Sequence, residues 1–356
     1  DERLDDTDRA EHVRARGELS RKRTVIVGAD DLPAVDQAQW QCGLVTGVHG
    51  QVCYVDDAPG REWVCTVRRV LRTRLIAQRS PVTVGDRVWF ADGSAFCGGE
   101  RVGVIEQVEP RTSVLARRDF RRRQHTLVAN ADQLLAVVSI FQPRLKPHLV
   151  DRYIIAAEKG GLRPVLCFNK VDLLAENVAA DTSDTEEDAF VVSAADAIRE
   201  FGAIGYRCLR TSVVTGDGLD ELREVLRDHV TVLSGQSGVG KSSLINALQP
   251  QLQLAVQEVS SESEKGRHTT THARLLPLDF GGYVVDTPGI RAFDLWNVEP
   301  GELEAYFREF VPLVEHCRFA DCAHRQEDGC AVRAAVEAGQ VSVRRYHSYL
   351  KLLTEV

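Results

Sequence analysis

The sequence lacks a long apolar run, an even set of cysteines and an overall positive charge. No apolar stretch approaches the roughly 20 residues that a membrane-spanning helix needs, so we expect no membrane span. The first 23 residues hold seven acidic and seven basic residues around no apolar core, and we expect no signal peptide there. Nine cysteines, an odd number that includes one tight cluster, argue against a disulfide framework and favour the reducing cytoplasm.

The composition is otherwise that of a globular protein. Of 356 residues, 44% are hydrophobic and 27% charged, enough for two or three domains. The formal net charge is −8, but 14 arginines and only 7 acidic residues lie between positions 61 and 125. A basic region in an acidic protein is typical of a surface that docks on nucleic-acid phosphates. The alternative is a solvated arginine-rich surface.

Changes of pattern along the chain predict four regions. Residues 1–38 are polar and mixed in charge, so we expect a disordered arm. Residues 39–118 hold short β-type segments between turn signals, which favours a closed barrel of the oligonucleotide-binding (OB) type, although periodicity does not separate it from other small barrels. Residues 119–296 alternate strands and helices, which predicts a mostly parallel α/β sheet. Residues 297–356 predict helices around a cysteine cluster.

Individual elements can be placed within the last two regions. Residues 133–141, 163–169 and 206–212 predict buried strands. Residues 149–161 predict an amphipathic helix that ends in glycine, and residues 342–356 predict a terminal amphipathic helix.

The segment GQSGVGKS, residues 235–242, matches the phosphate-binding loop G-x-x-x-x-G-K-[ST] between a strand and a helix. Its glycines let backbone N–H groups converge on phosphates, and the helix N-terminus adds its dipole. We expect Lys241 to neutralise the β- and γ-phosphates and the Ser242 hydroxyl to ligate Mg²⁺. The predicted nucleotide contacts of the loop are Gly235, Gln236, Ser237, Gly238, Val239, Gly240, Lys241, Ser242 and Ser243.

Two later segments complete the phosphate side. Asp286 in VVDTPG follows an apolar strand, as an acid that holds Mg²⁺ through water does, and Gly289 would offer its N–H to the γ-phosphate. The polar loop GRHTTTHARL, residues 266–275, is typical of a switch that presents a threonine to Mg²⁺. Any threonine of residues 269–271 could serve, and we favour Thr270. A plain turn and an ordinary polar loop are the alternatives.

A guanine-reading motif precedes the phosphate loop. Asn169, Lys170 and Asp172 form NKVD at the end of an apolar strand. An ionised carboxylate only accepts hydrogen bonds, so Asp172 fits the N1 and N2 donors of guanine. Adenine lacks those donors and would leave the acid unpaired, which favours GTP over ATP. The segment TSVVTGDGL, with Ser212 and Val213, matches the loop that closes over the base.

The five elements therefore occur in the order base reader, base loop, phosphate loop, switch and Mg²⁺ acid. The usual order begins with the phosphate loop. The sequence thus predicts a circularly permuted GTPase domain, with the usual termini joined and the chain cut after the second switch. Termini that lie close together make such a rearrangement tolerable.

A cysteine cluster lies near the end of the chain. Cys317, Cys322, His324 and Cys330 have the spacing C-x₄-C-x-H-x₅-C. Three thiolates and an imidazole make a tetrahedral zinc donor set, and no further ligand is evident. We therefore expect one closed, structural Zn²⁺ site. Free cytosolic thiols are the alternative.

With these motifs the chain, from about Trp40 to its end, resembles the circularly permuted, ribosome small subunit-dependent GTPase A family, also called RsgA or YjeQ. The resemblance rests on the permuted order and on GQSGVGKSSLINAL, GRHTTTHARL, DTPGIRAF and CRFADCAHRQEDGC. It implies an OB-type barrel, a permuted GTPase domain and a C-terminal zinc-binding domain. It also implies a cytoplasmic factor in late maturation of the small (30S) ribosomal subunit, with slow GTP hydrolysis that the subunit stimulates. We expect a monomer that binds GTP, GDP and rRNA and acts beside other assembly factors.

The resemblance also suggests roles for single residues. Ile290 stands where many GTPases place a water-orienting glutamine, so slow intrinsic turnover is expected. His268 would position the water once the ribosome orders the loop, unless it is a solvated loop residue. The arginines expected to contact rRNA phosphates are Arg68, Arg69, Arg72, Arg118, Arg121 and Arg122.

Two other functions fit the same motifs. One is a nucleotide-gated RNA-binding module in which hydrolysis is incidental, and Ile290 is compatible with it. The other is a permuted GTPase for the large ribosomal subunit, against which the combination of barrel and zinc cluster argues.

Overall fold

The structure is a computed structural model, and the chain beyond position 36 forms one compact unit, Gln37–Val356. The predicted disordered arm, residues 1–38, lies outside the described residues. In the part of the chain that the structure describes, no helix is long and apolar enough to span a bilayer. The described residues are 39–58, 60–68, 81–93, 101–118, 124–176, 194–254, 273–286 and 298–355.

Five strands close into a barrel at the start of the described chain. They are β1 Trp40–His49, β2 Val52–Ala58, β3 Arg61–Val67, β4 Arg87–Asp92 and β5 Val102–Val108. The strand order is β1-β2-β3-β5-β4, and a further pairing of β4 with β1 closes the ring. Val45, Val55 and Phe90 point inward and are fully buried, as alternation along a half-buried strand requires. The predicted OB-type barrel is confirmed.

A hairpin follows the barrel and forms its own two-stranded sheet. It consists of β6 Val114–Arg118 and β7 Gln124–Ala129. Leu115 and Val128 pack into the core beneath the next sheet rather than into the barrel. The arginine-rich segment between the two strands, residues 119–123, lies outside the described residues.

Six strands form the second sheet. They are β8 Gln133–Ser139, β9 Arg163–Asn169, β10 Arg207–Thr211, β11 Val230–Ser234, β12 Arg274–Pro277 and β13 Tyr283–Asp286. Their order is β10-β9-β8-β11-β13-β12, with all pairs parallel except the edge pair of β13 and β12. Every residue of β8 is buried, which is the pattern of a parallel strand covered on both faces.

Helices cover both faces of this sheet. They are α1 Pro147–Lys159, α2 Leu173–Glu176, α3 Ala194–Ala203, α4 Leu219–Leu226 and α5 Lys241–Leu248. Residues from α1 and α3 share one core with Leu134, whereas residues from α4 and α5 share another with Leu135. Successive residues of one strand thus serve opposite faces, as in a doubly wound sheet.

The strand order shows how the permuted chain makes one site. β11, which carries the phosphate loop, lies between β8 and β13, although β8, β9 and β10 all precede it along the chain. Because these strands are parallel, their carboxyl ends meet at one edge. Ser139, Asn169 and Thr211 are register partners at that edge. The predicted circular permutation is confirmed.

The barrel is hydrogen-bonded to the second sheet at β12 and to the segment between β7 and β8 at Asn130. Gly47 in β1 pairs with Arg274 in β12, at a register shift in the β1–β2 ladder. The side chain of Asn130 donates to the carbonyl oxygen of Gly85 at 2.9 Å. Gly85 has a φ of +89°, and a Cβ there would lie 1.9 Å from the Ala129 carbonyl oxygen, so only glycine fits. Gly85 therefore allows the barrel to approach the end of β7 closely.

The C-terminal module, residues 298–355, packs on α1. Its helices are α6 Val311–Val314, α7 Ala331–Glu337 and α8 Val343–Leu353, preceded by a 3₁₀ segment, Pro300–Tyr306. Ile155 of α1 is part of the module's own core, with Phe307 and Tyr349. Because Ile154 faces the sheet core, α1 is buried between the sheet and the module.

Buried ion pairs also connect the module to α1 and α3. Nη1 of Arg345 lies 2.5 Å from Oδ1 of Asp151, and both side chains are at most 1% exposed. Asp151 also accepts from Nη1 of Arg344 at 3.2 Å. Arg344 pairs with Glu200 of α3, and Arg345 with Glu309 of the module. We call these five residues the interface ion cluster.

Two carboxyl groups of α1, Asp151 and Glu158, differ in how far their arginine partners counteract the rise in pKa that burial causes. Burial acts to raise the pKa of Asp151, but Arg345 and Arg344 hold it below the usual range. Burial raises the pKa of Glu158, and its partner Arg308 does not reverse the shift. Because the pKa of Asp151 is lower in the folded state, its ionised carboxylate stabilises the fold at any pH above the unfolded-state pKa. This stabilisation is lost as the pH falls through the folded-state pKa. The raised pKa of Glu158 means that its charged form opposes folding at neutral pH.

We therefore expect Asp151→Asn to lower the free energy of unfolding at pH 7 by about 3–5 kcal/mol, because it removes the carboxylate that Arg344 and Arg345 share and leaves each buried guanidinium with a single carboxylate partner. Glu158→Gln, on the same helix, is the matched control and should change that free energy by less than about 1 kcal/mol. Denaturant unfolding at pH 7 measures both. Equal losses for the two variants would contradict this account.

Candidate nucleotide site and metal centre

The phosphate loop, residues 235–240, leaves the buried strand β11 and ends where α5 begins. Gly235, Gly238 and Gly240 all have positive φ values, of 145°, 79° and 96°. A Cβ on Gly235 would lie 2.1 Å from the Val137 carbonyl oxygen, and one on Gly240 would lie 2.4 Å from Nδ2 of Asn169. The loop therefore packs its backbone directly against β8 and the end of β9, which side chains at these glycines would prevent.

Lys241 folds back over this loop. Its Nζ donates to the carbonyl oxygens of Gly235 at 2.7 Å and Gln236 at 2.8 Å. Ser242 and Ser243 lie in the first turn of α5, where backbone N–H groups have no partner within the helix. The ammonium group and the helix N-terminus together favour bound phosphate.

Asn169 connects the base motif to the phosphate loop. Its Nδ2 donates to the Val239 carbonyl oxygen at 2.9 Å, and its Oδ1 accepts from the Thr211 hydroxyl at 3.0 Å. The Cys167 sulfur lies 3.2 Å from the same hydroxyl oxygen. All of these groups are buried. Thr211 thus fixes which way the Asn169 amide faces.

Asp172 and the base loop are joined by a second hydrogen bond. The Ser212 hydroxyl donates to Oδ1 of Asp172 at 2.5 Å. The same hydroxyl oxygen accepts from the backbone N–H groups of Val214 at 3.2 Å and Thr215 at 3.3 Å. A carboxylate has about four acceptor positions, so Asp172 can still accept from N1 and N2 of guanine. Val213, at the turn of this loop, is exposed.

Lys170 is held in an uncommon backbone conformation, with a φ of 63°. Its Nζ donates to the carbonyl oxygen of Gln142, in the loop that follows β8. Burial lowers the pKa of Lys170, while Asp172 acts to raise it. The base motif is therefore tied to three neighbouring segments: the phosphate loop, the base loop and the loop after β8.

The predicted Mg²⁺ ligands are placed only in part. Asp286 is the last residue of β13, the parallel neighbour of β11 on the side away from β8. Its backbone therefore lies at the same edge of the sheet as the phosphate loop and Ser242. His268, Thr270 and Gly289 lie outside the described residues. The complete Mg²⁺ set remains a prediction.

The predicted zinc ligands converge in the C-terminal module. The ligand atoms of Cys317, Cys322, His324 and Cys330 all lie within 4.8 Å of one another. Nδ1 of His324 is 3.6 Å from the Cys317 sulfur and 3.4 Å from the Cys330 sulfur. A tetrahedral zinc ion with bonds of about 2.3 Å to sulfur and about 2.0 Å to nitrogen sets its ligands about 3.6 Å apart. The donor set and its spacing therefore fit zinc.

Two features of the surroundings affect metal binding by the cysteine cluster. Nε2 of His324 lies 2.6 Å from the Glu304 carboxylate, so this nitrogen carries the proton and Nδ1 faces the thiols. Burial raises the pKa of Cys322 to about 12 and also raises that of Cys330. Burial therefore favours the protonated thiols, and metal binding at these cysteines releases protons.

Comparison with known proteins gives these features a family. Residues 108–296 match the family model described as RsgA GTPase. A small ribosomal subunit biogenesis GTPase RsgA from Saccharophagus degradans is 39% identical over 319 residues, which are 88% of this chain and 86% of that protein. The chain belongs to the RsgA GTPase family. The protein of the same name from Gemmatimonas aurantiaca is 44% identical over 277 residues, 77% of this chain and 84% of that protein.

Solved structures show the same architecture. YjeQ from Thermotoga maritima matches with a TM-score of 0.69 at 34% identity, over 89% of this chain and 98% of that one. YloQ, a circularly permuted GTPase, matches with a TM-score of 0.63 at 27% identity, over 89% of this chain and 94% of that one. The family resemblance and the permuted fold, both predicted from the motifs, are confirmed.

The predicted RNA contacts of this RsgA family member are mostly outside the described residues. Arg68, whose side chain is 56% exposed, forms an ion pair with Glu106 on β5. Arg118 is the last residue of β6 and directly precedes the arginine-rich segment 119–123 in the sequence. The contacts to rRNA phosphates remain predictions. The other four arginines, which the structure does not describe, are Arg69, Arg72, Arg121 and Arg122.

Sequence reasoning missed three residues that organise these sites. Thr211 and Cys167 brace Asn169, and Glu304 orients His324. Thr211 stands in the predicted base-loop segment, and its position at the end of a parallel strand was the available signal. Glu304 lies 20 residues before His324 and carries no motif that would have identified it.

Proposed function

We propose that this protein is a GTP hydrolase that assists late maturation of the small ribosomal subunit, binds its rRNA and is stimulated by it. The observation that carries the proposal is the hydrogen bond from Asn169 to Val239, which joins the guanine motif to the phosphate loop across the permuted sheet. Relatives at 39% and 44% identity are named as small ribosomal subunit biogenesis GTPases. Neither the incidental-hydrolysis gate nor the large-subunit GTPase gains support from these comparisons.

In this proposal GTP lies along the carboxyl edge of the sheet. Asp172 accepts hydrogen bonds from guanine N1 and N2, while Ser212 and Val213 cover the base. The N–H groups of the phosphate loop and the ammonium group of Lys241 bind the phosphates. Lys241 forms no covalent bond with the phosphates and acts by stabilising the charge that develops during phosphoryl transfer.

We assign Mg²⁺ to Ser242, Thr270 and Asp286, whose hydroxyl and carboxylate oxygens are ligands that this ion prefers. Mg²⁺ held by these residues would neutralise part of the negative charge of the phosphates. His268 orients the attacking water, a task that the aliphatic side chain of Ile290 does not perform. The protein acts as a monomer in the cytoplasm, where subunits are assembled beside other factors.

GTP hydrolysis by the purified protein, alone and with isolated small ribosomal subunits, tests this function. We expect the subunits to raise turnover by at least about tenfold, since a partner that completes a GTPase site contributes this much or more. Ser242→Ala should abolish the reaction. His268→Ala should lower the stimulated rate by about a hundredfold and the basal rate much less, because His268 acts after the subunit orders its loop.

Other outcomes would redirect the proposal. Tight GTP-dependent binding to small subunits without stimulation would support the nucleotide gate instead. Stimulation by large subunits alone would support the large-subunit factor. Loss of basal and stimulated rates in equal measure in His268→Ala would remove the assigned role of that histidine.

The cluster of Cys317, Cys322, His324 and Cys330 holds one structural Zn²⁺ in this proposal. We expect Glu304→Gln to weaken zinc affinity by about 10–100-fold, because the carboxylate orients the imidazole and raises its basicity. Glu337→Gln, an exposed carboxylate of α7 in the same module, is the control and should leave the affinity unchanged. Chelator competition followed by metal analysis measures both. Equal affinities in the two variants would contradict the assignment.

A further inference from the structure

The C-terminal module contacts the helices that lead into the guanine-reading strands. α1 ends just before β9, and β9 ends at Asn169. α3 ends just before β10, and β10 ends at Thr211. The interface ion cluster takes one acid from each helix, Asp151 from α1 and Glu200 from α3. The module is therefore attached beside the half of the sheet that reads the base.

The barrel is attached at the opposite side of the same sheet. Gly47 of β1 pairs with Arg274 of β12, and β12 is the edge strand farthest from β10. Arg274 is in turn the register partner of Asp286. The nucleotide sheet thus lies between two modules, one at its base-reading half and one beside its predicted Mg²⁺ acid.

The geometry of the interface ion cluster fixes the orientation of the C-terminal module relative to α1 and α3. Arg345 contacts Asp151 of α1 and Glu309 of the module, and Arg344 contacts acids from both α1 and α3. Replacing a buried ion pair by apolar residues is often neutral in stability, so such pairs add little to net folding energy. They do require one register, because any sliding of α8 leaves charges buried and unpaired. Apolar contacts such as that of Ile155 impose no such requirement.

Aromatic rings hold the two guanidinium groups in place. The Arg345 guanidinium lies 4.4 Å from the ring centre of Phe307, and that of Arg344 lies 5.0 Å from the ring centre of Phe201. Phe307 belongs to the module, whereas Phe201 belongs to α3. Each arginine is therefore bound by rings as well as by carboxylates, which restricts its plane as well as its position.

We propose that Asp151, Arg344 and Arg345 are positioning residues that hold the C-terminal module in one orientation on the guanine-reading half of the sheet, so that the module meets the small subunit as a preorganised surface. This inference rests on the proposed function. A partner that binds a preformed surface does not have to order it, and the affinity is higher for that reason. Loosening the cluster should therefore weaken binding of the subunit without altering the nucleotide site.

The test uses the full chain with Arg344→Gln and, separately, Arg345→Met. Arg207→Gln is the matched control, because it removes an exposed ion pair between Arg207 of β10 and Glu221 of α4, whose side chains are 55% and 51% exposed. We expect GTP affinity and basal hydrolysis to stay within about twofold in all three variants. The concentration of small subunits that gives half-maximal stimulation should rise about tenfold in the two cluster variants alone, with the maximal rate retained.

Arg344→Lys gives a further check, since lysine keeps the charge and loses the planar, two-sided contact. The concentration of small subunits that gives half-maximal stimulation of Arg344→Lys should lie between the values for wild type and Arg344→Gln. If half-saturation is unchanged in both cluster variants, the proposal is wrong. A parallel loss of GTP affinity and basal rate would also overturn it, because the cluster would then merely support the nucleotide core.

Hydrogen exchange of the isolated protein separates this inference from the proposed function. Amides of α1 and α8 should exchange at least about tenfold faster in Arg344→Gln than in Arg207→Gln, whether or not ribosomal subunits stimulate hydrolysis. If wild type is not stimulated but this difference is found, the proposed function fails and the orienting role stands. Equal exchange in the two variants would overturn the orienting role itself.

Discussion

The hydrogen bond between the Asn169 amide and the Val239 carbonyl oxygen joins the two halves of the predicted nucleotide site. The two residues are 70 positions apart, and the base reader comes first in the chain. Their contact depends only on which strands are neighbours, because β9 and β11 both end at the same edge with β8 between them. Thr211 makes the contact specific by orienting the amide. Sheet order thus brings the two halves of the predicted nucleotide site together in a permuted chain.

The rest of the molecule is arranged around that sheet. The barrel extends it at β12 by a single pairing, and the C-terminal module is bound to α1 through Asp151 and Ile155. Permutation places the module directly after β13, so the chain between residues 286 and 298 joins the predicted Mg²⁺ acid to a body anchored on the guanine-reading half. Both modules are therefore attached to the sheet that carries the predicted nucleotide site.

Local sequence patterns predicted many of the strands and helices. The features that they missed depend on contacts between residues far apart in the sequence. The strand at residues 163–169 was predicted with its observed bounds, since a buried parallel strand is a continuous apolar run. The helix predicted from residue 149 begins at Pro147, because proline suits the first helical position. The strand Arg274–Pro277 was missed because it is short and follows a polar loop. Asp151 and Arg345 are 194 positions apart in the sequence, and no local pattern predicts their ion pair.

The most direct test of a single guanine site built across the permutation is the base preference of Asp172→Asn. The substitution replaces an acceptor by a donor, which suits the C2 carbonyl group of xanthine and leaves the Ser212 hydroxyl an acceptor oxygen to bond. The account predicts that affinity for GTP falls by at least about a hundredfold while xanthosine triphosphate binds about as GTP binds to wild type. Unchanged GTP affinity in this variant would show that Asp172 does not read the base.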